Sequence, residues 1–307
     1  VHSSDMFAMS LGFEAAPIDD MLAFNVVFGK TVPDISLNAV ANLGYAAGRF
    51  GVPVYPGDTL RASSRVIGLK ENSNAKTGIV FVHSVGHNQR DEPVLDFIRW
   101  VMVNKRDPAS PAPEPVVPEL PVFVADEDLI VPDSLEMGGF DTMLSGSDML
   151  WDDYQTGEKI DHVDGMTIEE SDHMLATRLY QNTAKVHFNQ HTQKEGRFGR
   201  RIVYGGHVIS LARALSFNGL GNAFKVAAIN GGNHVAPTFG GDTIYAWSEV
   251  LGKSALSGHD DLGALRLRTV ASKDQACENF PDKGEDGKYD PSVVLDFDYT
   301  VLIPKRC

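Results

Sequence analysis

Between Arg178 and Leu220 (RLYQNTAKVHFNQHTQKEGRFGRRIVYGGHVISLARALSFNGL) a histidine, several amides, a run of cations and a Gly-Gly pair lie closer together than anywhere else in the chain. His187 is the side chain there that titrates near neutral pH. Ile209, Leu211, Ala212, Leu215 and Phe217 recur at roughly helical spacing, so a buried helix is expected from Gly206 to Phe217. The start of such a helix offers free N–H groups and a partial positive charge, which suit an oxygen that gains negative charge during a reaction. Gly205 and Gly206 would serve that purpose and a tight turn equally well. Asn182 could hold a water or orient the imidazole, but unlike a carboxylate it cannot accept a proton. Lys194, Arg197, Arg200 and Arg201 place four cations within eight positions. A solvated charge run is the ordinary reading; the functional one is a site for phosphate or a free carboxylate.

The balance of the chain makes that basic run stand out. Of 307 residues, 27 are Lys or Arg and 41 are Asp or Glu, a net charge of −14, which argues against nucleic acid or an anionic membrane as the main partner. Cys277 and Cys307 form neither a metal-ligand spacing nor a disulfide framework, so a reducing cytoplasm is the expectation. No apolar run reaches membrane-span length. GxxxxGK[ST], strand-flanked GxGxxG, GxSxG, HExxH and CxxC are all missing, so no metal or redox cofactor is expected.

The elements that must position these residues come from an internal repeat. Val1-His2 echoes Val186-His187, Ile35-Ser36-Leu37 echoes Ile209-Ser210-Leu211, and Gly57-Asp58-Thr59 echoes Gly241-Asp242-Thr243. Val94-Leu95-Asp96-Phe97 returns as Val294-Leu295-Asp296-Phe297, and Lys105-Arg106 as Lys305-Arg306. The offsets, 185, 174, 184, 200 and 200, fit one duplicated unit with loop insertions. Each copy reads as a buried helix (Ser36–Phe50; Gly206–Phe217), a Gly-Asp turn and three strands. The strands are expected at Thr59–Gly68, Gly78–Val85 and Val94–Val103, then at Thr243–Gly252, Gly263–Val270 and Val293–Ile303. A meander of this kind wraps an antiparallel sheet around its helix, an α+β arrangement. Six prolines between 108 and 121 make a stiff connector. Residues 1–107 are thus expected to form the first unit, 108–125 the linker and 126–307 the second, catalytic unit. The polar stretch from Glu278 to Pro291 is expected to be a solvated loop. Because the second unit has about three dozen residues ahead of Val186-His187, the equivalent piece before Val1 is expected to be missing from this chain.

Asn182, His187 and Asn189, followed by Ile202-Val203-Tyr204-Gly205, resemble the hydration motif and helix start of MaoC-like (R)-specific enoyl-CoA hydratases. The stretches VFGKTVPDISLNAVANLGYA, PVYPGDTL and NTAKVHFNQ resemble in particular the two-domain mesaconyl-CoA hydratase (β-methylmalyl-CoA dehydratase) branch. The resemblance implies a doubled hotdog fold, a CoA-thioester substrate, a homo-oligomer, and a lyase that adds water to an enoyl-CoA without a separate cofactor. It implies catalytic roles for Asn182, His187 and Gly205, and substrate contacts for Gly206, Tyr204, Asn189, Arg197, Arg200 and Arg201. Two departures stand out: Asn182 occupies the place of the family's usual aspartate, and Tyr204 that of a frequent histidine. An acyl-CoA thioesterase and a non-catalytic acyl-CoA binder are the competing readings.

Overall fold

The structure is a computed structural model that describes residues 1–306. In chain order it contains helices α1 (Asp5–Ser10) and α2 (Asp20–Ile35), then strands β1 (Ala39–Phe50), β2 (Arg61–Glu71), β3 (Thr77–His87) and β4 (Pro93–Asn104). Helix α3 (Thr142–Ser145), the short strands β5 (Lys159–Asp161) and β6 (Met166–Thr167), α4 (Glu170–Leu179), α5 (Gln190–Gln193), α6 (Gly205–Leu215) and α7 (Phe217–Leu220) follow. The chain closes with β7 (Lys225–His234), β8 (Thr243–Leu256), β9 (His259–Lys273) and β10 (Val293–Pro304).

The sheet runs β2-β3-β4-β1-β7-β10-β9-β8-β5, with β6 pairing β8. Its two halves repeat the same path and join where β1 pairs antiparallel with β7, Gly48 opposite Ile229. Only a glycine fits at that crossing, because a Cβ on Gly48 would lie 2.8 Å from the Ile229 side chain. Helices α2 and α6 lie side by side inside the curved sheet, tied by Asn25 Nδ2 donating to Ser210 Oγ at 2.9 Å. Phe24, Val27 and Phe28 of α2 share one core with Val208, Ile209, Ala212 and Leu215 of α6 and with Phe97, Ile229, Leu267 and Phe297 of the sheet. This is the expected double hotdog.

The duplication is visible bond by bond. Gly51 N donates to Val94 O at 3.0 Å and Val235 N to Val294 O at 2.9 Å, at offsets of 184 and 200. The Asp58 carboxylate takes Tyr55 N and the Asp242 carboxylate takes Phe239 N, both at 2.9 Å. Ile18 N donates to Val54 O, and Val203 N to Thr238 O.

One sequence expectation is overturned. Ser36–Phe50 is not a helix: Ala39–Phe50 is β1, and the first unit's helix is Asp20–Ile35. Ala and Leu in AVANLGYAAGRF favour helix, but the pairings with β4 and β7 outweigh propensity. Pro33 sits inside the last turn of α2. The helix is announced instead by Asp19, whose carboxylate caps Met21 N at 2.8 Å. The Ile35-Ser36-Leu37 match at offset 174 therefore joins non-equivalent positions, while the matches at 184, 185 and 200 are real.

The proline-rich connector carries no helix; Val116 bridges to Leu69 on edge strand β2, and Val124 N donates to Asn230 Oδ1 at 2.9 Å. The stretch after it folds back on α1, with Leu135 and Met137 packed in a second cluster with Phe7, Leu11 and Phe13. The loop from Glu278 to Pro291 is mostly exposed, yet Phe280 packs on Trp247 and Asp282 pairs with Arg268. No described helix is long and apolar enough to cross a membrane.

Candidate active site

After α4 the chain turns through Gln181, whose φ of 57° places a non-glycine residue in the left-handed region. The turn buries Asn182. Its N–H donates to Thr177 O at 3.1 Å and its Oδ1 accepts from Ala184 N at 3.0 Å, leaving the amide nitrogen without a protein partner. Asn182 lines a cavity of about 610 Å³ together with Met174, Thr177, Arg178 and Phe188.

His187 follows on a short 3-10 turn, Lys185–His187. Its Nδ1 lies 3.1 Å from Ile202 O. A carbonyl can only accept, so Nδ1 carries the proton and Nε2, which has no protein partner, presents a lone pair. Burial pushes the imidazole down to about 4, with the Ile202 bond opposing it, so the ring is neutral at pH 7 and available as a base. Ile202 N donates back to Val186 O, which clamps the loop to the lead-in of α6.

Tyr204 is the N-cap residue of α6 and makes no side-chain cap bond. Its ring packs against His187 at 5.7 Å, Phe28 at 5.7 Å and Tyr180 at 6.3 Å, and its buried hydroxyl has no partner. Burial holds the phenol well above its ordinary pKa, so it stays protonated. The N–H groups of Gly205 and Gly206 donate to no acceptor among the described residues. Neither glycine has a positive φ; what they allow is close approach. A Cβ on Gly205 would collide with the imidazole of His234, and one on Gly206 with Asn25 Oδ1 and the Tyr204 phenol.

The structure therefore brings His187, Tyr204, Gly205 and Gly206 together, sets Asn182 on the buried turn that leads to His187, and adds groups that sequence reasoning missed or ranked low. His234, at the end of β7, hydrogen-bonds through Nε2 to Tyr45 Oη at 3.3 Å and is pushed down to about 4 by burial and then by the proximity of His187. Asn25 and Tyr45 belong to the first unit, far away in sequence. Only the duplication points to them, as partners that the second unit must pack on.

The remaining expected residues divide. Asn189 Oδ1 caps α5 by accepting from Thr192 N at 3.2 Å, so that oxygen serves the loop. Arg201 pairs with Glu170 and reaches Phe188 O, which ties it to α4. Arg200 lies 3.8 Å over the Phe239 ring and Arg197 5.1 Å over Phe198, both exposed and neither paired with a carboxylate among the described residues.

A neutral imidazole base, an amide that can hold water and unfilled helix-start donors equip the site for proton abstraction from water beside a developing oxyanion. Comparisons with known proteins identify the family. The mesaconyl-CoA hydratase family matches residues 2–280. A β-methylmalyl-CoA dehydratase from Chloroflexus aurantiacus is 66% identical over 99% of this chain and 86% of that protein. A mesaconyl-CoA hydratase from Cereibacter sphaeroides is 60% identical over 99% and 87%. Among solved structures, a MaoC domain protein from Chloroflexus aurantiacus superposes with a TM-score of 0.97 at 66% identity, covering 100% of this chain and 87% of that one. A Mycobacterium tuberculosis protein with a double hotdog fold gives 0.75 at 25% identity, covering 98% and 86%. With the family matched along nine-tenths of its length, the chain belongs to the mesaconyl-CoA hydratase family.

Proposed function

We propose that this protein is a hydro-lyase that reversibly adds water across the double bond of mesaconyl-CoA to give β-methylmalyl-CoA. The observation that carries the mechanism is His187: neutral, fixed by Ile202 at Nδ1 and free at Nε2, beside the unfilled N–H donors of Gly205 and Gly206. The thioester oxygen accepts from these donors, which draws electron density from the double bond and makes the β-carbon electrophilic. Asn182 Nδ2 donates to the attacking water, His187 Nε2 takes a proton from it, and the hydroxyl oxygen bonds to the β-carbon. The electron pair of the double bond moves to an enolate held at α6. Since Asn182 cannot carry a proton, the imidazolium of His187 returns it to the α-carbon. Net, one water is added, and reversal eliminates it.

Coenzyme A enters as part of the substrate, and no further cofactor is required by these steps. Exposed Arg197 and Arg200 meet its phosphates. The test is incubation with mesaconyl-CoA. Loss of the enoyl absorbance without free thiol supports hydration, whereas thiol release would make the protein a thioesterase, and binding without turnover a carrier.

A further inference from the structure

Among the described residues two lysine or arginine side chains are buried, Arg99 and Lys225. Lys225 lies 3.2 Å from a carboxylate oxygen of Asp20. The partly buried Arg266 and Arg268 are likewise matched to carboxylates, of Asp298 and of Asp282 and Asp296. Arg99, only 1% exposed, has none. Its guanidinium donates to Ser36 Oγ and Thr31 Oγ1, both at 3.0 Å, and to Asn42 Oδ1 at 3.4 Å, and lies 4.4 Å over the Phe28 ring. These partners are all neutral, so a buried charge stays uncompensated, an arrangement that is costly unless something completes it.

The unsatisfied atoms of Arg99 and its partner Asn42 share one sign. Arg99 Nε has no acceptor and Nη2 uses one of its two protons. These neighbouring nitrogens form the fork with which an arginine grips a carboxylate. Asn42 Nδ2, on a side chain that Arg99 already contacts, is also a buried donor without a partner. Donors without acceptors, gathered around a cation, are the complement of an anion.

Arg99 also lies on a short path to the reacting end. It is paired directly across β4 and β1 with Tyr45, whose hydroxyl binds His234, whose ring covers Gly205. On the other side, Phe28 lies between Arg99 and Tyr204, the residue just before Gly205. An acyl group with its thioester oxygen at the start of α6 would extend from the second unit toward Arg99 in the first.

We infer that Arg99 is the specificity determinant that receives the free carboxylate at the far end of the acyl group, with Asn42 as an auxiliary donor. The inference rests on the proposed hydration of mesaconyl-CoA, a substrate that carries this carboxylate. The first unit thereby gains a definite role, reading the acyl terminus, while Arg197 and Arg200 serve the coenzyme.

The test compares kcat/KM for mesaconyl-CoA with that for 2-methylcrotonyl-CoA, in which a methyl replaces the carboxylate. The unaltered protein is expected to prefer the acid by about a hundredfold or more, the scale of leaving one partner of a buried charge pair empty. Arg99→Met should collapse that ratio toward unity. Asn42→Asp offers a second route that keeps Arg99: the new carboxylate occupies the anion's place, so the melting temperature should rise while the preference vanishes. Equal rates on both thioesters with the unaltered protein, or a preference that survives Asn42→Asp or a folded Arg99→Met, would overturn the inference, as would parallel losses on both thioesters. If no enoyl-CoA is hydrated at all, the reaction has been misread. Arg99 is then judged by thermal shift: mesaconyl-CoA must stabilise the unaltered protein more than 2-methylcrotonyl-CoA does, and Asn42→Asp must erase the difference.

Discussion

The two halves of the molecule build the same histidine loop and the same helix start, yet only one leaves them open. His2 Nδ1 lies 3.0 Å from Pro17 O, as His187 Nδ1 lies 3.1 Å from Ile202 O, both pairs at an offset of 185. In the first unit, however, His2 Nε2 is also engaged, 2.8 Å from Phe224 O. At the helix start the same offset sets Asp19, Asp20 and Met21 against Tyr204, Gly205 and Gly206. Asp19 fills the Met21 N–H with its own carboxylate, and Asp20 accepts from Val226 N and Lys225 Nζ. One helix start is a finished cap that repels an oxyanion, and its twin is an unfinished cap that invites one. The duplicated fold supplies the scaffold twice, while the chemistry depends on what is left unpaired.

The largest expected effect comes from removing the imidazole that is left open of the duplicated pair. His187→Ala should lower kcat at least about a hundredfold, the usual scale for a lost general acid or base, with the melting transition retained. Steady-state rates on mesaconyl-CoA check this, and near-unaltered rates would end the assignment. The same group sets the pH response. With the folded imidazole at about 4, kcat/KM should hold well below pH 6.5, where an ordinary histidine base would already fail. Stability should behave differently. His162, His187 and His234 are all lowered to about 4 by burial, so between 6.5 and 4 the unfolded chain binds more protons than the folded one. Their contribution is complete above about 6.5 and is lost as pH falls toward 4. Denaturant titrations across this window measure it.

Next in size is Gly206→Ala. Its counterpart Met21 carries a side chain without difficulty, but at Gly206 a methyl would meet Asn25 Oδ1 and the Tyr204 phenol, both buried. Overpacking of this kind costs roughly 1–3 kcal/mol. Shifting the donors by a fraction of an ångström should also cut turnover by about tenfold or more. A variant as active as its parent would show that the helix start does not touch the reacting oxygen.

These contrasts were legible in the sequence to different depths. The motif around His187, the Gly-Gly helix start, six of the long strands and the pairing of His2 with His187 could be read directly, because each is local or repeated letter for letter. Thr243–Gly252, for instance, needed only extension to Leu256. The first unit's helix could not be placed. AVANLGYAAGRF carries helical composition, and only its partners across β4 and β7 make it a strand. His234, Asn25, Tyr45 and Arg99 were beyond local reading because nothing near them in sequence marks them; their roles arise where the two units close on each other. Arg201 shows the opposite failure. It belongs to a conspicuous basic run, yet it is held by Glu170, at the start of a helix whose weak apolar pattern did not announce it.

A smaller effect is expected from the coenzyme end. Arg200→Ala should raise KM for the CoA thioester by about tenfold, within the range of a charge-assisted hydrogen bond at an exposed site, and leave kcat little altered. A pantetheine thioester lacking the nucleotide phosphates should show no such rise. If KM for both thioesters rises equally, Arg200 supports the loop through its contact with Phe239 and does not meet phosphate.

The smallest effect on catalysis falls on the duplicate histidine, and it tests the comparison most directly. Were the two units functionally alike, removing His2 would damage turnover as removing His187 does. Instead both of its ring nitrogens face backbone carbonyls, Pro17 O and Phe224 O, which tie the N-terminal turn to the strand-entry loop of the second unit. An imidazole so engaged has no nitrogen left for water or substrate. His2→Ala should therefore leave kcat and KM unchanged while lowering stability by about 1 kcal/mol, the worth of the one hydrogen bond that a neutral ring donates to either carbonyl, plus lost packing. Chemical denaturation alongside steady-state kinetics separates the two readouts. A fall in kcat with stability unchanged would mean that the first unit has kept a catalytic histidine, and that the closed cap at Asp19 and Asp20 does not silence it.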